Sequence, residues 1–309
     1  MNLLHSYDNG NCHVELYDDG TKIRTFEGSP QPVYPECIDV KITDYCDAKC
    51  AYCHEKSTVD GMHCDKNSFF DFVGKLTPGT ELAIGGGNPL AHPDIKEFLV
   101  FMRDRGIVAN MTINQLHLRR QRQIIDEFLD EKLINGVGVS YSSKSYLKDV
   151  ESLLKKTDNV VVHLIAGVND VSDFYDIHNV CSSLDAVTKV LVLGYKHFGF
   201  GAKFYQEHSL VEEQIYDWHV NIGKMIRSDD SIVSFDNLAI DQMKIRRFIK
   251  DDLWNELYMG DDFQFTMYVD VVKKQYAKSS TSVERVNFSE MSLIDFFQSD
   301  KKKTRLSVV

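Results

Sequence analysis

The chain has 309 residues, 43% hydrophobic and 26% charged, with a formal net charge of −11. That length can bury one large α/β core or two modest ones, while the acidic balance argues against general nucleic-acid binding, because a phosphate backbone selects basic surfaces. No apolar run reaches the roughly 18–20 residues of a membrane span and the N-terminus lacks a signal-peptide pattern, so a soluble cytoplasmic protein with no membrane partner is expected.

Residues 1–30 read as a small β appendage. The stretch HVELYDDGTKIRTF holds two alternating runs around Asp19-Gly20, the signature of a β-hairpin. GSPQPVYPE follows, with three of the six prolines, and marks a boundary.

From residue 36 strand-like and helix-like runs alternate. CIDVKIT (37–43) precedes a helix at SFFDFVGKL. ELAIGG (81–86) precedes one at HPDIKEFLVFMRDRG, with Pro93 placed for its first turn. IVANMTIN (107–114), NGVGVSYS (135–142), NVVVHLIAGV (159–168) and TKVLVLGY (188–195) are each followed by a helical pattern, at RRQRQIIDEFLDEKL, SYLKDVESLLKK, VSDFYDIHNVCSSL and within 209–227. Such alternation predicts a parallel sheet with helices outside, and the nearly continuous apolar runs predict strands buried on both faces. The pattern alone admits an open barrel or a doubly wound sheet. After residue 228 the rhythm loosens. IVSFDNLAI reads as a strand, FQFTMYVDVVKKQYAKSSTS as two strands turning near Lys273-Lys274, and SLIDFF as a short helix. Residues 229–309 are therefore expected to form an α+β extension.

The seven cysteines are too few and too odd in number for a secreted disulfide scaffold. Three of them, Cys46, Cys50 and Cys53, fall in CDAKCAYCHEK with spacing C-x3-C-x2-C. Positions i, i+4 and i+7 share a helix face, so a buried stripe is one reading, but no apolar helical pattern surrounds them. A zinc site is another, completed by Cys64, His54 or His63, although structural zinc sites usually draw on two short-spaced pairs. The third is an iron–sulfur cluster held at three corners, with one iron open to a ligand.

The motif, with Tyr52 just before the last cysteine, resembles the signature of the radical S-adenosylmethionine enzymes. The resemblance covers about residues 36–228. It implies a partial (β/α)6 TIM-like barrel with the N-terminal hairpin and the α+β extension added to it. It also implies one [4Fe–4S] cluster on Cys46, Cys50 and Cys53, with S-adenosylmethionine chelating the open iron. Reductive cleavage of that cofactor yields a radical that takes a hydrogen atom from substrate. An electron donor such as flavodoxin or ferredoxin, and sensitivity to oxygen, follow from the same likeness. Tyr52 would lie near the adenine.

AIGGGNPLAHPDI ends the second strand. In the radical family this strand ends in Gly-Gly-Glu-Pro, which binds the methionine amino group. Gly86-Gly87-Asn88-Pro89 lines up with it, preceded by Gly85, but Asn88 offers an amide where the family has a carboxylate. Strand ends in such folds carry the ligand contacts, which makes Thr112, Asn114, Ser140 and Asn169 candidates for the ribose, carboxylate or adenine. His117, Tyr195, Lys196 and His197 lie near strand ends too, and read better as helix-flanking or loop residues. Cys64 and Cys181 read as buried thiols. No cysteine follows Cys181, so a single cluster is expected. The C-terminal hairpin, with Tyr268, Asp270 and Ser279 to Ser282 as candidate contacts, favours a peptide or protein side chain as substrate over a nucleotide or small metabolite. The alternative is a non-enzymatic metal-binding module with a structural zinc or iron–sulfur site.

Overall fold

The computed structural model describes residues 1–226 and 231–306, with side chains to residue 299. Two sheets organise it. The smaller is an antiparallel meander of β1 (Leu3–Asn9), β2 (Cys12–Tyr17) and β3 (Lys22–Phe26). The expected hairpin is its β2–β3 half. β1 was not read from the sequence, and it joins β2 through a tight turn at Gly10, whose φ of +67° suits glycine.

The larger sheet has ten strands. Seven run parallel in chain order: β4 (Cys37–Thr43), β5 (Glu81–Gly86), β6 (Val108–Asn114), β7 (Gly136–Ser140), β8 (Val160–Ile165), β9 (Thr188–Leu193) and β10 (Ser231–Phe235). β11 (Thr266–Asp270) pairs in parallel with β4 at the other side, and β12 (Gln275–Ala277) and β13 (Val286–Asn287) continue antiparallel. The sheet is open, with β10 and β13 at its edges, and no closed barrel forms among the described residues. Strands of the C-terminal region thus extend the central sheet on both sides. The expected boundary at 228–229 lies outside the described residues.

Six expected strands appear, 37–43 and 81–86 with the predicted ends and the other four within three residues of theirs. Other readings change. IVSFDNLAI is a strand only to Phe235; Asp236 then caps a helix, Asn237–Gln242, by accepting from Ala239 N at 2.7 Å. RRQRQIIDEFLDEKL holds the end of one helix, Gln115–Arg120, which begins upstream of it, and the whole of a second, Arg122–Asp130, with the break at Gln121. Pro93 precedes its helix, which begins at Ile95. SLIDFF begins a longer helix, Leu293–Leu306. The helix Gly199–Glu207 had no counterpart in the sequence reading.

The strands are not buried on both faces. Val40, Ile42, Leu82, Ile84, Met111, Ile113, Val137, Val139, Val162, Leu164, Val190 and Val192 face the helices and are buried. Phe69 and Phe98 stack in that layer with centroids 3.9 Å apart, and Trp218 is wholly enclosed, donating its indole N–H to Asn169 O at 2.8 Å. On the opposite face Asp39, Ala83, Gly85, Asn110, Thr112, Asn114, Gly138, Ser140 and His163 remain at least partly accessible. The apolar runs hid this alternation because the accessible face also carries Val161, Leu191 and Leu193.

The meander is joined to the sheet by charge. Arg24 forks onto Glu36 (2.6 Å from Nη2 to Oε2) and lies over the Phe265 ring at 3.6 Å, and Lys22 reaches Glu81 at 2.5 Å. Glu36 is 0% exposed. Replacing Arg24 with Met leaves that buried carboxylate without its counter-ion, and breaking such a pair costs about 3–5 kcal/mol. A lowered urea midpoint for Arg24→Met, measured at pH 7, checks this; an unchanged midpoint contradicts it.

Candidate functional site

The three cysteines occupy the connection between β4 and the helix Lys66–Val73. They lie in turns and extended segments rather than a helix, which removes the buried-stripe reading. The connection folds back on itself. Asp44 N bonds Met62 O and Cys46 N bonds Thr58 O, both at 2.8 Å, and Cys53 O accepts from Phe200 N at 2.8 Å. That last bond ties the loop to the helix Gly199–Glu207. Tyr52 packs edge-on against Phe204 of the same helix, centroids 5.8 Å apart.

One lysine closes the loop. Lys41, at the end of β4 and 2% exposed, meets Asp44 at 2.5 Å, Glu55 at 2.8 Å and Asp270 at 3.4 Å. Asp44 precedes Cys46 by two residues and Glu55 follows Cys53 by two, so both ends of the cysteine segment are held by one ammonium. Asp270 adds β11 to the same point. Burial disfavours this charge, but the carboxylates outweigh it and hold the lysine's pKa above its ordinary value. Burial likewise opposes charge on Glu55, yet Lys41 and the Tyr268 hydroxyl, donating at 2.9 Å, keep its carboxyl below the usual range.

A second tether holds the inside of the loop. Asp47 takes His117 Nε2 at 2.7 Å and Arg120 Nη1 at 2.8 Å, both from the helix Gln115–Arg120. His117 lies within this helix rather than at its flank, and it grips the loop.

The thiols of Cys46, Cys50 and Cys53 are free and partly exposed. Burial raises the pKa of Cys46 and pushes Cys50 up to about 11. At neutral pH Cys50 carries its proton until a metal displaces it. Among the described residues no three His, Cys, Asp or Glu groups converge on one point as ligands of a single metal ion would. Cys64 is buried beside His92, 3.5 Å from Sγ to Nε2, and Cys181 lies in the core.

The glycine turn is stapled to this loop. Gly87 N bonds Thr43 O and Asn88 N bonds Tyr45 O, both at 2.7 Å. A Cβ on Gly87 would stand 2.1 Å from Tyr45 O, and one on Gly86 (φ +110°) would stand 2.5 Å from Thr43 O. These two glycines therefore permit close approach of loop and turn. Gly85 differs: a Cβ there would meet nothing within 4 Å. It faces open space on the accessible side of the sheet.

The remaining sequence candidates divide. Thr112 and Ser140 sit on the accessible face, on β6 and β7. Asn88 is 4% exposed; its oxygen accepts from Leu90 N at 3.2 Å and its nitrogen donates to Gln121 at 2.9 Å. Pro89 is buried in the short turn that Asn88 opens. Asn169 is buried and accepts from Ile165 N at 2.8 Å. Asn114 accepts from Leu116 N and donates to Cys50 Sγ. Tyr195 is buried with its hydroxyl on Gly201 O at 2.6 Å, and His197 is exposed. Ser280 accepts from Lys196 Nζ at 2.9 Å, and that ammonium stands 3.5 Å from His54 Nε2.

Three residues on the accessible face escaped the sequence reading. Lys41 was one apolar-looking strand's only cation, and its position two residues past Asp39 on β4 was the available signal. Asp39 faces the open side yet is ringed by protein, which raises its carboxyl pKa against the pull of Lys196. His163 interrupts the apolar run of β8, and burial lowers its pKa to about 4, so it is neutral at pH 7. Its ring crosses Gly138, where a Cβ would stand 2.7 Å from His163 Cε1 and 3.0 Å from Thr112 Oγ1.

No protein-family model matches the chain, and no curated protein matches it either. Solved structures do. The fold is similar to that of Streptococcus suis SuiB bound to its precursor peptide SuiA (TM-score 0.61, 14% identity, 86% of this chain and 65% of SuiB covered). It is likewise similar to SuiB bound to S-adenosylmethionine (TM-score 0.59, 13% identity, 86% and 66%). The chain spans slightly less than two thirds of SuiB's length. At this identity the likeness establishes a shared fold: a mixed α/β architecture around a large parallel sheet.

Two expectations follow. Lys41→Met leaves three carboxylates around an apolar side chain and should lower stability by about 3–5 kcal/mol, read by urea denaturation; retention of wild-type stability would remove the clasp from the account. Gly87→Ala should cost about 1–3 kcal/mol through overpacking, whereas Gly85→Ala should be neutral or slightly stabilising. Equal melting temperatures for the two variants would contradict the division of roles.

Proposed function

We propose that the chain is a radical S-adenosylmethionine enzyme whose cluster is held by Cys46, Cys50 and Cys53. One observation carries the reading. Three free thiols share a loop that leaves the C-terminal end of β4 and is bonded directly to the glycine turn ending β5. Two sequence motifs separated by about thirty residues thereby become one site at the end of a parallel sheet, where such folds bind ligands. The finer fold reading, a partial six-unit barrel, is supported by parallel strands paired in chain order.

The donor set suits the group. Soft thiolates select iron–sulfur clusters, and a cube takes each thiolate at a separate iron, so convergence on one point is not required. Together a [4Fe–4S] cluster and S-adenosylmethionine supply reductive cleavage and removal of a hydrogen atom from substrate.

The chain's residues hold and orient. Cys46, Cys50 and Cys53 take three irons. Gly85 leaves room beside them, and Gly86, Gly87, Asn88 and Pro89 fix the turn that edges the cofactor. Thr112 and Ser140 have side chains on the accessible face to offer the ribose or carboxylate. Tyr52 packs on Phe204 of the helix Gly199–Glu207 at the loop's flank, placed to border the adenine. Asn88 spends its side-chain oxygen on a helix cap and Asn169 on the N–H of Ile165, so contacts at those positions run through what their amides have left or through backbone. His163, neutral, presents an imidazole to the same face. The substrate reading, a peptide or protein side chain, draws support from the SuiB fold, solved with a precursor peptide. Flavodoxin or ferredoxin is the expected class of electron donor.

Anaerobic reconstitution with iron and sulfide should yield a brown protein with about four irons per chain. Reductant and S-adenosylmethionine should then release 5′-deoxyadenosine and methionine, and Cys50→Ala should abolish both. A colourless protein that retains zinc would favour the structural-metal alternative. An intact cluster without 5′-deoxyadenosine would reject the enzyme.

A further inference from the structure

Asn114 ends β6 and opens the helix Gln115–Arg120. One atom of its amide lies 2.8 Å from Leu116 N. A backbone N–H only donates, so that atom is the oxygen. The cap thereby fixes which way the amide faces, and its nitrogen is left directed at Cys50, with Nδ2 3.6 Å from Sγ. A residue from outside the loop therefore aims an N–H group at one of its three thiols.

We propose that Asn114 tunes the cluster's reduction potential through this N–H···S hydrogen bond, a job distinct from contacting S-adenosylmethionine. The inference rests on the reading of the loop as a [4Fe–4S] site. Adding one electron to a cluster increases negative charge on its sulfurs. A donor aimed at a ligand sulfur stabilises that charge and favours the reduced form, which raises the potential. The donor is pre-oriented because the carbonyl of the same amide is already committed to the helix cap. Asn114 is a positioning residue in this sense: it acts on the cluster through Cys50.

The test uses the full chain, reconstituted anaerobically, with the cluster potential read by a redox titration followed by electron paramagnetic resonance. Asn114→Ser keeps a capping oxygen and adds no charge. Asn114→Asp keeps the shape and the cap and replaces the donor with an acceptor. Both should hold as much iron as wild type, melt at the same temperature, and titrate at a more negative potential. Wild-type potential in both Asn114 variants overturns the inference, and so does loss of iron in Asn114→Ser, which would make the amide a builder of the loop instead. A wild-type chain that takes up no cluster overturns the functional reading beneath it, a result distinct from the other two.

Discussion

A single buried ammonium holds the site together. Lys41 draws Asp44 and Glu55 to one point and so sets the distance across the cysteine segment they bracket; Asp270 brings β11 to the same charge. A buried lysine is costly without partners and keeps its charge here because three carboxylates surround it. The chemistry of the loop therefore depends on the integrity of the sheet beneath it. A strand laid down by hydrophobic burial, with Ile38, Val40 and Ile42 packed against the helices, turns its other face to electrostatics and uses it to shape a loop.

The neighbouring strand contributes by what it lacks. Gly86 and Gly87 carry no Cβ, and the backbone of residues 43–45 lies where those atoms would be. Loop and turn meet as backbone on backbone, through the bonds of Gly87 to Thr43 and Asn88 to Tyr45. Two roles usually credited together to a glycine run separate here: close packing at residues 86 and 87, open space at residue 85. The tether from Asp47 to His117 and Arg120 adds a third strand's helix to the same construction. Three consecutive strands of the parallel sheet, β4, β5 and β6 with its helix, thus position one loop of cysteines, and the C-terminal strand β11 completes the set.

Much of this was legible in the sequence. Hydrophobic runs of the right length located six parallel strands, since strands that bury one face in an α/β core must be rich in Val, Ile and Leu. Cysteine spacing and the glycine turn marked the two halves of the site, because close approach and soft ligation leave residue-type signatures. Other features were hidden for physical reasons. β1 alternates weakly, and the Asn9-Gly10 turn that joins it to β2 was the available signal. Asn237–Gln242 continued an apolar run, and only the cap at Asp236 divides strand from helix. Lys41 and His163 act through neighbours distant in sequence, so no local pattern announces them. Asn88 and Asn169 stand just past strand ends, but whether such an amide faces a ligand or bonds its own backbone depends on rotamers that spacing does not encode.

The central claim is that the loop clasped by Lys41 presents a four-iron cluster with one iron open to a cofactor. Electron paramagnetic resonance of the reduced, reconstituted protein tests it directly. Adding S-adenosylmethionine should change the g values of the reduced cluster, because a new ligand arrives on one iron. An identical spectrum with and without a saturating excess of the cofactor would show that no such position is available, and would contradict the account.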